Sequence, residues 1–124
     1  MIMTAINQAI EAQVPSLAGK IFPIDVVLNE QEPPLCVAVS SGKTAFRAMS
    51  GKVHHYNEKI TMDILARTQD ECSDLYDAIE AVLYTLPRSL GILRLACMQG
   101  EPDAKILPEN LIRRTITIDI DWKE

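Results

Sequence analysis

The chain has 124 residues, a formal net charge of -5, 48% hydrophobic and 23% charged residues, with a pI near 5.0. That length fits one domain with one core, and that balance fits an ordinary globule rather than a disordered or collagen-like chain. The acidic balance argues against a dedicated nucleic-acid binder, which would carry a basic face, but is compatible with DNA sliding past without sticking. No apolar run is long enough for a membrane-spanning helix, so no membrane partner is expected.

The opening MIMTAINQAIEAQV lacks a basic stretch and an uninterrupted apolar core, so a signal peptide is not expected and a cytoplasm is. Ile2, Ile6, Ile10, Val14 and Leu17 recur at helical spacing, which predicts an amphipathic helix from Thr4 to Leu17. Thr4 is a candidate cap, Pro15 a stop or kink, and Gly19 suits the exit. Ile21-Phe22 and Val26–Leu28, broken by Pro23, predict one weak or edge strand.

LCVAVSS, residues 35–41, predicts a buried strand, with Ser41-Gly42-Lys43 as the turn after it. TAFRAMSGKV, which follows, reads as a return strand or an extended loop. KITMDILA alternates, with Ile60, Met62 and Ile64 on one face and Thr61, Asp63 and Leu65 on the other. The period then changes. Thr68 and Glu71 have capping-box spacing, and Cys72, Leu75, Ile79, Val82, Leu83 and Leu86 form a helical stripe that Pro87 ends. GILRLACM, 91–98, is another strand. QGEPDAKILPEN reads as a polar loop, and IRRTITIDIDW, 112–122, alternates cleanly. The predicted fold is α+β: a mostly antiparallel sheet with two main helices on one side, in the order helix, strands, helix, strands, as a single domain over 1–124.

Several short patterns invite a chemical reading. His54 and His55 are the only histidines. On an extended strand they point to opposite faces, so they do not share one metal ion, although a lone histidine could act as a general base. Asp119 and Asp121 share a strand face, and Asp63 lies on the polar face of another strand. If those strands pair, three carboxylates could gather to hold Mg²⁺ or work as an acid/base pair. A solvated sheet face has the same pattern, and the aspartates could also face Arg113 or Arg114 of a neighbouring subunit. SSGKT, 40–44, lacks the leading glycine of a phosphate loop and reads as a turn. Cys36, Cys72 and Cys97 show no metal or redox spacing and read as small buried hydrophobes. Catalytic, metal and cofactor sites are therefore all expected to be absent.

The stretches PPLCVAVSSG, EKITMDILARTQDE, DLYDAIEAVLYTL and RRTITIDIDW, after a leading helix, resemble the tail terminator (tail completion, minor tail protein) family of long-tailed phages and prophages. The resemblance runs from the first helix to Trp122. It implies an α+β structural protein without catalysis or cofactor, forming a hexameric ring, either in solution or only on the tail itself. Such a ring caps the tail tube, stops polymerisation of the tube protein and offers a surface to the head-completion protein, with DNA only passing through the lumen. It places the chain in the virion tail, assembled in the host bacterial cytoplasm. The basic residues Lys43, Arg47 and Lys52 around the expected hairpin, with Ser41, Gly42, Arg113 and Arg114, are candidate subunit or tube contacts, and the loop 100–110 is a second candidate region. A head–tail connector and a small cytoplasmic ligand-binding regulatory domain stand as alternatives.

Overall fold

The computed structural model describes residues 2–22, 34–99, 105–106 and 111–123. The helices are α1 (Ile2–Gln13) and α2 (Gln69–Leu83). The strands are β1 (Ile21–Phe22), β2 (Leu35–Arg47), β3 (Val53–Ala66), β4 (Ile92–Gln99), β5 (Lys105–Ile106) and β6 (Ile112–Trp122). The sheet runs β1-β2-β3-β6-β4, with β5 also on β6. It is mixed: β1 pairs parallel to β2, and every other pairing is antiparallel. The succession is not plain helix, strands, helix, strands, because 3-10 turns at Pro15–Leu17 and Arg88–Leu90 follow each helix.

β3 is the central strand. Its alternation places Ile60, Met62 and Ile64 on one face, where β6 opposes Ile118 to Ile60 and Ile116 to Met62. All five side chains are fully buried. They join Ile2, Ile6 and Ile10 of α1 and Leu75, Ile79 and Val82 of α2 in one cluster, so both helices lie on the same apolar sheet face. Leu65, expected on the polar face, is instead buried beside Leu35 across the strand pair, outside that cluster.

α1 begins at Ile2, which places Thr4 inside the helix rather than at its cap. The four-residue spacing of buried isoleucines runs from Ile2 through Ile6 to Ile10. Pro15 lacks an N–H to continue the α-helical ladder, so the chain tightens into the 3-10 turn before Gly19 at φ +70°. α2 is capped as its sequence predicts. The Thr68 hydroxyl accepts from the Glu71 N–H at 3.1 Å, and the Glu71 carboxylate reaches back to the Arg67 N–H at 3.4 Å.

The largest departure from expectation lies in β2. Ser41, Gly42 and Lys43 are not a turn: β2 continues through them to Arg47. The chain reverses instead at 48–51, where the Gly51 N–H donates to the Ala48 carbonyl and Gly51 has φ +88°. Ser41 is an extra residue in the ladder, because Ser40 opposes Ile60 while Gly42 opposes Lys59. Its hydroxyl donates to the Lys59 carbonyl at 3.1 Å. A β-bulge absorbs what the polar Ser-Gly-Lys triplet suggested would be a reversal. In the stretch 100–110, expected to be a loop, Lys105–Ile106 pair with β6, and the rest lies outside the described residues, as does Val26–Leu28.

Two expected outcomes test this arrangement. Thr68→Ala removes the side-chain acceptor of the Glu71 N–H at the α2 start and should cost about 1 kcal/mol in urea denaturation. Gly91 has φ +80°, and a β-carbon there would overlap the Lys123 carbonyl oxygen. Gly91→Ala should therefore lower the melting temperature, whereas Gly42→Ala, with open space around it, should leave it nearly unchanged.

Candidate functional site

The outer face of the sheet carries the acidic side chains that the sequence marks as candidates for chemistry, but they do not gather. Asp63 opposes Thr115, whose hydroxyl donates to it at 2.6 Å. Asp119 opposes Lys59, four residues along β3 from Asp63, a separation of roughly 13 Å at strand rise. Asp119 and Asp121 do share a face, and Oδ1 of Asp119 and both carboxylate oxygens of Asp121 are engaged within the chain. Asn57 Nδ2 donates to Oδ1 of both at 2.7 Å. Arg94 spans them, with Nε 3.0 Å from Asp121 and Nη2 3.1 Å from Asp119. An arginine of the same chain thus partners both aspartates. Among the described residues, His, Cys, Asp and Glu side chains form no group of three suited to a metal ion.

A bulge brings Arg94 there. Ile92 opposes Trp122 while Arg94 opposes Asp121, so Leu93 is the extra residue and stands 52% exposed. Without that slip, strict alternation would put Arg94 on the helix-covered face. The hydrogen bond from Asn57, ahead of that from Arg94 and Arg94's charge, holds the Asp121 carboxyl below its ordinary value of 3.8.

The arm is the second feature. β6 ends its pairing with β3 at Trp122 opposite Tyr56. Beyond that rung, β2 and β3 continue as a two-stranded ribbon to the turn at 48–51. Residues 41–52 are all exposed, Phe46 at 47% and Met49 completely. Arg47 and Lys52 lie on this projecting hairpin, with Arg47 donating to the Gly51 carbonyl at 3.0 Å, whereas Lys43 opposes Glu58 where β6 still backs β3. Lys43 folds back instead, its Nζ 4.3 Å above the Tyr56 ring and 5.0 Å above Trp122. Tyr56 and Trp122 pack at 4.7 Å, and the Trp122 N–H donates at 3.1 Å to Glu58, which is 1% exposed. These contacts anchor the arm to the end of the core.

The histidines lie at the base of the arm, and their expected separation to opposite faces fails. Phe46 opposes His55 while Arg47 opposes Val53, which makes His54 a bulge residue. The bulge turns its ring so that the two Nδ1 atoms stand 2.8 Å apart, one donating to the other, while His55 stacks on Phe46 at 4.8 Å. Val53, His54, His55, Tyr56 and Lys123 line an open cavity of about 330 Å³ there.

Arg113 and Arg114 take no part in the arm. Arg114 lies with its guanidinium carbon 3.8 Å above the Tyr76 ring of α2, inside the fold. Arg113 is half-buried and opposes Leu65 on one side and Lys105 on the other. The cysteines are unpaired. Burial pushes the Cys36 thiol up to about 12, with Asp63 adding to the effect, and raises Cys72 and Cys97 as well, so none is an activated thiolate.

Sequence reasoning missed Asn57, Arg94, Phe46 and Met49. A charge inside the apolar run ILRLACM was the available sign for Arg94, and the Ser50-Gly51 pair was the sign for the true turn. No family model matches the chain, and no curated protein matches it either.

Asn57→Ala should let the Asp121 carboxyl rise toward 3.8, followed by carboxyl NMR titration. Because that carboxyl is depressed in the folded state, the stability it contributes is present above the ordinary carboxylate value and lost as pH falls through the lower folded one. The acid limb of unfolding should accordingly shift to higher pH in the variant.

Proposed function

We propose that this chain is a structural, non-enzymatic assembly protein of the tail-terminator kind. It closes as a hexameric ring on the end of a phage or prophage tail tube, stops polymerisation of the tube protein and presents its other side to the head-completion protein. It works without a cofactor, lets DNA pass through its lumen, and belongs to the virion tail after assembly in the bacterial cytoplasm. The observation that carries this reading is the β2–β3 arm. A two-stranded ribbon outside the sheet adds nothing to the core, and its exposed Phe46 and Met49 suit a contact with another protein. The engagement of Asp119 and Asp121 by Asn57 and Arg94 supports the non-enzymatic part.

A head–tail connector would use such an arm equally well. The small ligand-binding regulatory domain draws support from the cavity beside His54 and His55. A saturable thermal shift with a small molecule, lost in His55→Ala, would favour it.

The test is capping. Purified tail tubes mixed with the chain should show closed, blunt ends in negative stain and should stop growing. The contact region is the tip, so the informative change is Met49→Asp, not deletion of Ser41-Gly42-Lys43, which would break the β2 ladder. Met49→Asp should alter unfolding free energy by no more than about 0.5 kcal/mol and abolish capping. Capping at wild-type efficiency by that variant would remove the arm from the reading.

A further inference from the structure

The net charge of -5 is unevenly spread. From Ser41 to Asn57 there is no Asp or Glu, and Lys43, Arg47 and Lys52 are all exposed. α2 carries Asp70, Glu71, Asp74, Asp77 and Glu80 and no Lys or Arg. Asp70, Asp74 and Asp77 are exposed, on the side away from the core.

That helix face is unfavourable for the chain alone. Asp70 and Glu71 sit in the first turn, where the helix dipole favours anions. Asp74 lies four residues after Asp70 and three before Asp77, and Glu80 lies three after Asp77, so like charges repel along the stripe. Glu80 also stands near the negative end of the dipole. The salt bridges of Arg94 go to Asp119 and Asp121 on the sheet and not to this face.

The arm of the same chain is badly placed to supply one. It leaves the sheet at the Val53 end of β3, whereas α2 starts just after the Ala66 end. Fourteen strand residues separate those ends by roughly 45 Å. The basic, aromatic-tipped ribbon thus leaves one end of the sheet, while α2, with Asp70 and Asp74 in its first turns, starts at the other.

We propose that the β2–β3 arm of one copy docks on the outer face of α2 of a second copy, head to tail. Arg47 and Lys52 face Asp74 and Asp77, and Phe46 and Met49 supply the apolar part of the contact. The two surfaces differ, so the contact is heterologous and closes as a ring when its rotation closes. In that respect it rests on the ring reading above and gives that ring its subunit contact.

The test uses the full chain and native mass by light scattering over a wide concentration range. Ionic strength runs from about 0.01 M, where charges act over about 30 Å, to about 0.15 M, where they act over about 8 Å. Wild-type chain should associate, with a midpoint concentration that rises with salt. Arg47→Glu/Lys52→Glu and Asp74→Lys/Asp77→Lys should each raise the midpoint by about tenfold or more, with melting temperatures confirming that both fold. Mixing the two variants should restore association, because native arm then meets native helix and reversed arm meets reversed helix. The proposal is overturned by a wild-type chain that stays monomeric at low salt, by association insensitive to salt, or by reversed variants that assemble as wild type does. A mixture of folded variants that stays apart overturns it too. Salt dependence needs no variant and decides the matter even if a reversal unfolds the chain. Tube capping is scored separately on wild-type chain. Failure there removes the terminator reading and leaves the contact, while association indifferent to both reversals removes the contact and leaves capping.

Discussion

A slip of one residue between β3 and β6 would carry Ile116, Ile118 and Ile120 to the outer face and expose Thr115, Thr117 and Asp119 to the helices. The register that prevents this is the constraint on which the molecule depends. It aligns the β6 isoleucines with Ile60 and Met62, builds the floor on which α1 and α2 pack, and sends Thr61, Asp63, Thr115, Thr117 and Asp119 outward, while Glu58 and Arg114 stay on the inner face with partners in Trp122 and the Tyr76 ring. β3 is paired on both sides for most of its length, so its register also governs β2 on the other edge.

Against that regular ladder, three bulges do the specialised work. The one at Ser41 carries β2 onward into the arm. The one at His54 turns two imidazoles into contact at the arm's base, and the one at Leu93 rotates Arg94 onto the outer face beside Asp119 and Asp121. A bulge changes the phase of alternation at a cost confined to one residue. The same sheet therefore keeps an apolar inner face while re-aiming individual side chains near its rim.

The electrostatics follow from this geometry. Acidic side chains on the sheet are closed off by neighbours on adjacent strands, whereas those on α2 face solvent in a row. From Ser41 to Asn57 the charged side chains are all positive. The carboxylates of the outer sheet face thus have donors within the chain, while among the described residues the arm and the outer side of α2 each carry charge of a single sign. Both project away from the core, which is where contacts between proteins form.

Much of this was legible in the residues themselves. Period-two alternation in KITMDILA and ITIDIDW, and period-3.6 recurrence from Cys72 to Leu83, each bury one side of an element, and burial is a local consequence of pattern. Thr68 and Glu71 marked the start of α2 because capping involves only neighbours in sequence. The turn was misplaced at Ser41-Gly42-Lys43 because turn-forming residues also fit a bulge, and only a partner strand, here Lys59 opposite Gly42, distinguishes the two. The meeting of His54 with His55, the joining of Arg94 to Asp119 and Asp121, and the parting of Asp63 from them depend on register between strands far apart in sequence. No local pattern encodes that register. Side-chain periodicity determined which residues are buried; the pairing of distant strands decided which polar groups meet.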